Sequence, residues 1–389
     1  MYYSLVDVTN GGLATNYSLA TGTATGVITA APLSIASPTI ASKVYDGTAT
    51  AGAVTTGTLS GFVGTETVTT TAVAANYSSA NVGTYNGVVV AYTLVDGTNG
   101  GLATNYSLAT GTATGVITTA PLSITSPTIA SMVYDGTATA GAVTTGTLSG
   151  FVGTETVTTT AVAADYSSAN VGTYNGVVVT YTLVDGTNGG LATNYSLANG
   201  SADGEITAKA LTITANDAIK GYGVVLTSPT TGSTAFTVGA GELLNSDAVS
   251  SVTLTYLNDV ETGTKAVGSY ASNIEPSAAQ GTGLSNYSIT YTKGSMTIYE
   301  VIVEATAGTI LAGYNTMKAA YDAINAGAHT GVIVVKVYAN TTETATATLN
   351  DSGVGSASYD SVTIQAMAGV TISGSASPVM ILGQEAVNP

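Results

Sequence analysis

From Gly87 to Gly97 the chain reads GVVVAYTLVDG, in which Val88, Val90, Tyr92 and Leu94 alternate with Val89, Ala91, Thr93 and Val95. That two-residue period predicts a strand with one well-buried face. Asp-Gly and Asn-Gly pairs in YDGT and VDGTNGG tolerate positive φ, so they predict tight turns between antiparallel strands. Helical periodicity appears in one place. The segment GYNTMKAAYDAINAG, Gly313 to Gly327, sets Met317, Ala320, Tyr321 and Ile324 on one helical face, with Asn315 or Thr316 as N-cap and Gly327 as the stop. Short apolar runs follow, VIVVKVYAN, SVTIQAM, GVTISGS and PVMIL, and predict short strands.

These patterns recur at a fixed distance. Residues 32–120 and 121–209 are identical at 79 of 89 positions, and internal repetition of this kind outranks other sequence signals. Each unit reads as an all-β module of roughly six or seven strands. The same offset aligns Tyr3 with Tyr92, so residues 1–31 match the last third of a unit, and the chain is expected to open inside a repeat. A diverged third unit keeps the frame, with AVGSY at Ala266–Tyr270 for NVGTY. The expected division is 1–31, 32–120, 121–209, 210–299 and 300–389. The repeats are expected to fold as self-contained units, while the last segment, with one helix and then short strands, is expected to begin a parallel β-solenoid that is incomplete at Pro389.

Composition narrows the functional classes. With 23 Asp plus Glu against seven Lys plus Arg, the net charge is −16. That balance argues against nucleic-acid partners and anionic membrane surfaces, both of which need basic residues. Zero cysteines exclude disulfides and thiolate chemistry. No run of about 18 apolar residues is present to span a membrane.

The series KVYDGTATA, NVGTYNGVVV and LATNYSLATGTATGVIT followed by PLSI resembles the YDG-type repeat of bacterial surface adhesins. The words LTITANDAIKGYG, VGSY and NYSITYTKGSMTI resemble the MBG-type module of the same proteins, although the spacing after Tyr222 departs from that pattern. The last ninety residues are similar to the entry of a pectate-lyase-like β-helix domain. The resemblance implies an all-β fold of tandem immunoglobulin-like or β-grasp-like modules in an extended array, leading to a helix-capped partial β-solenoid. It also implies a non-catalytic stalk of an exported, extracellular cell-surface protein that holds a binding region toward a host or environmental surface bearing a glycan or protein ligand.

Candidate chemistry is sparse. One histidine, His329, cannot assemble a triad or a metal cluster and is expected to be structural, near the helix C-terminus. Asp96, Asn99, Asp185 and Asn188 offer oxygen ligands for calcium; the competing reading is a turn whose Asp accepts backbone N–H groups, and no cofactor is expected. Asp7 matches Asp96 but precedes Val8 where the copies carry Gly. Asp46 and Asp135 read as turn residues, with Tyr45 and Tyr134 packing at the module edge. NYS triplets at Asn16, Asn76, Asn105, Asn194 and Asn286 fit a glycosylation sequon but read as repeat copying in a bacterial family. Thr-rich GTETVTTT lacks the short period of an ice-binding face. Two rival functions remain: a surface polysaccharide-active β-helix enzyme, for which Lys336, Glu343, Asp351 and Asp360 are thinly spread, and a self-associating filament or lattice protein.

Overall fold

A computed structural model describes residues 2–377, 379–382 and 386–387. Met1, Pro378 of the expected PVMIL strand and Pro389 lie outside them. Among the described residues the fold is all-β apart from one α-helix and four single-turn 3₁₀ segments. It forms two compact units, one of Met1–Thr128, Val143–Val162 and Val178–Ala202, the other of Ile129–Ala142, Ala163–Val177 and Asp203–Pro389. The second repeat thus contributes to both.

In the first unit, the predicted strand runs over Gly83–Asp96, flanked by Val68–Ala74 and Gly111–Thr118, both antiparallel to it. Val88 and Val90 are buried and Val89 and Val95 exposed, as the alternation requires. Lys43–Val44 completes the sheet by pairing in parallel with Ile117–Thr118. The YDG motif therefore does not close a hairpin. Gly47 has the positive φ the motif suggests, +78°, but the strand before it belongs beside a segment more than seventy residues away. VDGTNGG likewise leads through Ala103–Asn105 into Tyr106–Ser107, whose partner is the earlier Ala31–Pro32, in parallel.

The repeats are not self-contained. Ile40, Tyr45, Tyr77, Val90 and Ile117 of the first repeat form one buried cluster with Leu122, Val157 and Tyr195 of the second. With PLSI starting directly after the last strand of the preceding copy, no linker separates the cores, so apolar faces of adjoining repeats bury each other.

In the second unit, residues 209–299 form a five-stranded sheet in the order Ala218–Gly221, Gly294–Tyr299, Gly268–Thr282, Ala248–Tyr256, Thr230–Ser233, and a three-stranded one in which Lys209–Ala215 lies between Phe236–Val238 and Tyr287–Thr292. The altered spacing after Tyr222 leaves the register intact: Tyr222 N–H donates to the carbonyl of Tyr299, as Tyr134 does to Thr207.

Beyond residue 300, the helix spans Met317–Asn325. Thr316 is its N-cap, accepting a hydrogen bond from the Ala319 N–H, and Met317, Ala320, Tyr321 and Ile324 are its buried face. Val301–Gly308 pairs antiparallel with Leu311–Tyr314 and His329–Val337, which pairs in parallel with Tyr359–Ala366 and that in turn with Ala386–Val387. Two shorter parallel pairs join Thr341–Glu343 to Ile372–Gly374 and Ala347–Thr348 to Met380–Ile381.

Candidate docking interface

The Tyr-Asp-Gly turn is built by its own side chains. Asp46 Oδ1 accepts hydrogen bonds from the N–H and hydroxyl of Thr48, at 2.9 and 2.8 Å, and lies 2.8 Å from Lys43 Nζ, whose hydrogen bond and charge hold the Asp46 carboxyl down to about 2. In the next copy Met132 replaces the lysine. There the bonds from the Thr137 N–H and hydroxyl are the main cause that holds Asp135 below the usual carboxylate range. Each turn fixes the tyrosine beside it. Tyr45 and Tyr134 are both 5% exposed, and each points into the following module rather than its own edge.

There it meets a carboxylate. Tyr45 Oη donates to Glu155 Oε1 at 2.7 Å, and Tyr195 Oη donates to Glu155 Oε2 at 2.7 Å. One repeat later Tyr134 and Tyr287 both donate to Asp247 Oδ2, at 2.9 and 2.8 Å. The two rings of each pair pack edge to face, with centroids 5.6 Å apart for Tyr45 and Tyr195 and 5.5 Å for Tyr134 and Tyr287. Burial, reinforced by the neighbouring carboxylate, pushes the Tyr45 and Tyr287 phenols up to about 12 and raises Tyr134 and Tyr195. The arrangement keeps the phenols protonated as donors to an acceptor-only group, the stronger class of hydrogen bond.

A second contact accompanies it. Tyr85 Oη donates to the Asn81 carbonyl four residues earlier, at 2.5 Å, tightening the loop at NVGTY. That loop presents the Val82 N–H to Asn194 Oδ1 at 2.9 Å and the Asn81 side chain to Asn194 Nδ2 at 3.0 Å. Asn286 takes the Val171 N–H at 2.9 Å and donates to Asn170 Oδ1 at 3.1 Å. Asn194 is fully buried and Asn286 4% exposed. Two of the five NYS triplets thus contribute to the closure between successive modules. Their amides are out of reach of a modifying enzyme.

Sequence reasoning missed Glu155, Asp247, Asn81 and Asn170, because the partner each meets in the neighbouring module lies more than a hundred residues away. The signal available was scarcity: in so weakly charged a chain, a glutamate kept inside GTETV has a reason to be there.

The third module accepts this contact without passing it on. Tyr222 stands where Tyr134 does along the backbone but is 36% exposed, and Ala266 replaces the asparagine of the loop, although Tyr270 Oη still donates to the Ala266 carbonyl at 2.8 Å.

The remaining candidates are satisfied locally. Asp96 and Asp185 each accept a backbone N–H, from Ala103 and Ala192, at 2.7 Å, and the side chains of Asn99 and Asn188 donate to the Thr65 and Thr154 carbonyls at 2.8 Å. Asp7 accepts from the Ala14 N–H. Among the described residues, no group of three or more His, Cys, Asp or Glu is placed to hold a metal ion. His329 is fully buried at the start of a strand: Nδ1 donates to the Thr309 carbonyl, which requires its proton there, and Nε2 accepts from Tyr314 Oη at 2.7 Å. Glu343, 1% exposed, accepts the Met317 and Lys318 N–H groups at 2.9 Å, filling the open N-terminus of the helix. Lys336 pairs with Glu304 at 2.7 Å. The described residues include no helix long and apolar enough to cross a membrane.

Residues 29–114 and 118–202 each match the YDG domain, and residues 211–297 match the MBG domain of YGX type. The chain therefore carries two YDG domains and an MBG domain, which are typical of surface-associated repeat regions. No curated protein sequence matches it. Among solved structures, the crystal structure of Drosophila N-cadherin EC1-4 is similar at 9% identity over 67% of this chain and 75% of that one, with a TM-score of 0.19, which is too low to carry an argument.

Proposed function

We propose that this chain is a non-catalytic spacer from an exported bacterial cell-surface adhesin, in which YDG and MBG modules hold a binding region away from the cell. The observation that carries this reading is the repeated closure between successive modules: a tyrosine, a carboxylate, a second tyrosine and an asparagine pair, formed twice from the same kinds of partner. A junction closed by two buried tyrosines and a buried asparagine, with a common apolar cluster beneath the first, resists bending, which is what a spacer needs and a catalyst does not. The segment after residue 300, with its parallel strand pairs and its one helix, is the start of a pectate-lyase-like β-solenoid in this reading. The spacer needs no cofactor and no calcium.

Displayed on cells with a fluorophore at its distal end, the chain should place that label farther from the surface by about 30–40 Å for each extra copy of residues 32–120, the dimension of a compact module of that length. A label height that does not change with repeat number would refute the spacer role. Cleavage of bacterial or host polysaccharides by the purified chain would favour the enzyme instead.

A further inference from the structure

The first YDG repeat carries the same receiving face as the modules after it, and that face is open. Tyr106 Oη donates to Glu66 Oε2 at 2.6 Å and accepts the Val63 N–H at 3.1 Å, reproducing the bonds of Tyr195 with Glu155 and Val152. Among the described residues, no phenol stands on Glu66 where Tyr45 stands on Glu155. Asn105, the counterpart of buried Asn194 and Asn286, is exposed. Val63 is 58% exposed, whereas its counterpart Val152 packs against the preceding repeat beneath Gly47. Glu66, Val63, Asn105 and Tyr106 line an open cleft of about 380 Å³ together with Ile28 and Ala31. Residues 2–31 contain neither a Tyr-Asp-Gly nor an Asn-Val-Gly segment to fill it.

We propose that this cleft is a docking socket for the Tyr-Asp-Gly and Asn-Val-Gly edge of a further YDG-type repeat. The partner chemistry follows from the two filled sockets. A phenol must reach the carboxylate, and an asparagine loop must offer one backbone N–H and one side-chain oxygen to the Asn105 amide. A YDG repeat supplies both. The MBG module supplies neither, since Tyr222 is turned out and Ala266 stands in for the asparagine, so the socket discriminates by residue type. Both YDG edges of this chain are already engaged, by Glu155 and Asp247, so a second copy of the folded chain is not the occupant. The inference goes beyond the spacer reading and does not need it, because its test reads stability and not surface display.

The test is an extended chain in which residues 32–120 are duplicated in tandem ahead of residue 32, so that the original first repeat has a YDG repeat in front of it. In the unextended protein, Asn105→Ala should leave the melting temperature within about 1 °C. In the extended chain the same substitution in the original copy should lower it by about 4–8 °C, as Asn194→Ala should in either chain, the shift expected when a module of this size loses the side-chain hydrogen bonds of one buried asparagine. Equal effects of Asn105→Ala in both chains, or none in the extended chain while Asn194→Ala keeps its effect, would overturn the proposal. Should the substituted chains not fold, solvent exchange of the Asn105 side-chain amide in the unsubstituted proteins decides. It should slow at least tenfold on extension, and unchanged exchange would equally overturn it.

Discussion

Glu155 and Asp247 each receive phenols from two successive modules, so Tyr45→Phe and Tyr134→Phe each remove one donor to a charged acceptor while keeping the ring. Each should cost about 1–3 kcal/mol in chemical denaturation. Tyr222→Phe, at the equivalent but solvent-facing position, should stay within about 0.5 kcal/mol. The same phenols make the fold sensitive to alkali. Tyr45 and Tyr287 ionise at about 12 in the folded chain and near 10 once unfolded. Because the folded state holds these protons more tightly, their contribution is complete below about pH 10 and is lost as pH rises toward about 12. Melting temperature followed from pH 8 to 12 should fall steeply over that window. In the Tyr45→Phe variant the fall should be shallower.

At the level of elements, what could be read from the sequence divides by distance along the chain. The helix was legible to within one residue of its cap, left between Asn315 and Thr316, because the cap, the buried stripe from Met317 to Ile324 and the stop at Gly327 all lie within one stretch of fifteen residues. The strand Gly83–Asp96 was legible over Gly87–Asp96 because its buried face alternates locally; Gly87 itself, with φ of +71°, breaks the alternation and hid the first turn of the strand. The YDG hairpin was misread for the opposite reason. Asp-Gly specifies a local backbone state, whereas the strands it joins are chosen by remote apolar pairing, here Lys43–Val44 with Ile117–Thr118. One close approach was also invisible. Tyr77 and Tyr85 stack with centroids 4.7 Å apart, and a Cβ on Gly115 would sit 2.2 Å from the Tyr77 ring. Gly115→Ala should therefore destabilise the first repeat by about 1–3 kcal/mol through overpacking, and Gly204→Ala, against Tyr166 at 2.3 Å, should do the same in the second, both measurable by denaturant unfolding.

Across the whole molecule, repetition in the sequence suggested independent beads, and the docking residues were legible only as residue types without partners. The 89-residue period is real, yet the cores do not respect it: Leu122, Val157 and Tyr195 complete a cluster begun by Tyr45, Tyr77 and Ile117. Nearly identical copies carry no mark of which contacts are made within a copy and which with its neighbour, so periodicity alone cannot place the boundary. The consequence is cooperative coupling between successive modules, to which Asn194 is the most direct handle. Hydrogen exchange of the Val82 backbone amide, resolved by NMR, measures that coupling where one module meets the next. With Asn194 intact, the Val82 amide should exchange as slowly as the strand amides of Val88 and Val90. With Asn194→Ala, it should accelerate by at least tenfold while Val90 stays protected. Rapid Val82 exchange in the unsubstituted protein, or no response to Asn194→Ala, would contradict an array closed by these contacts.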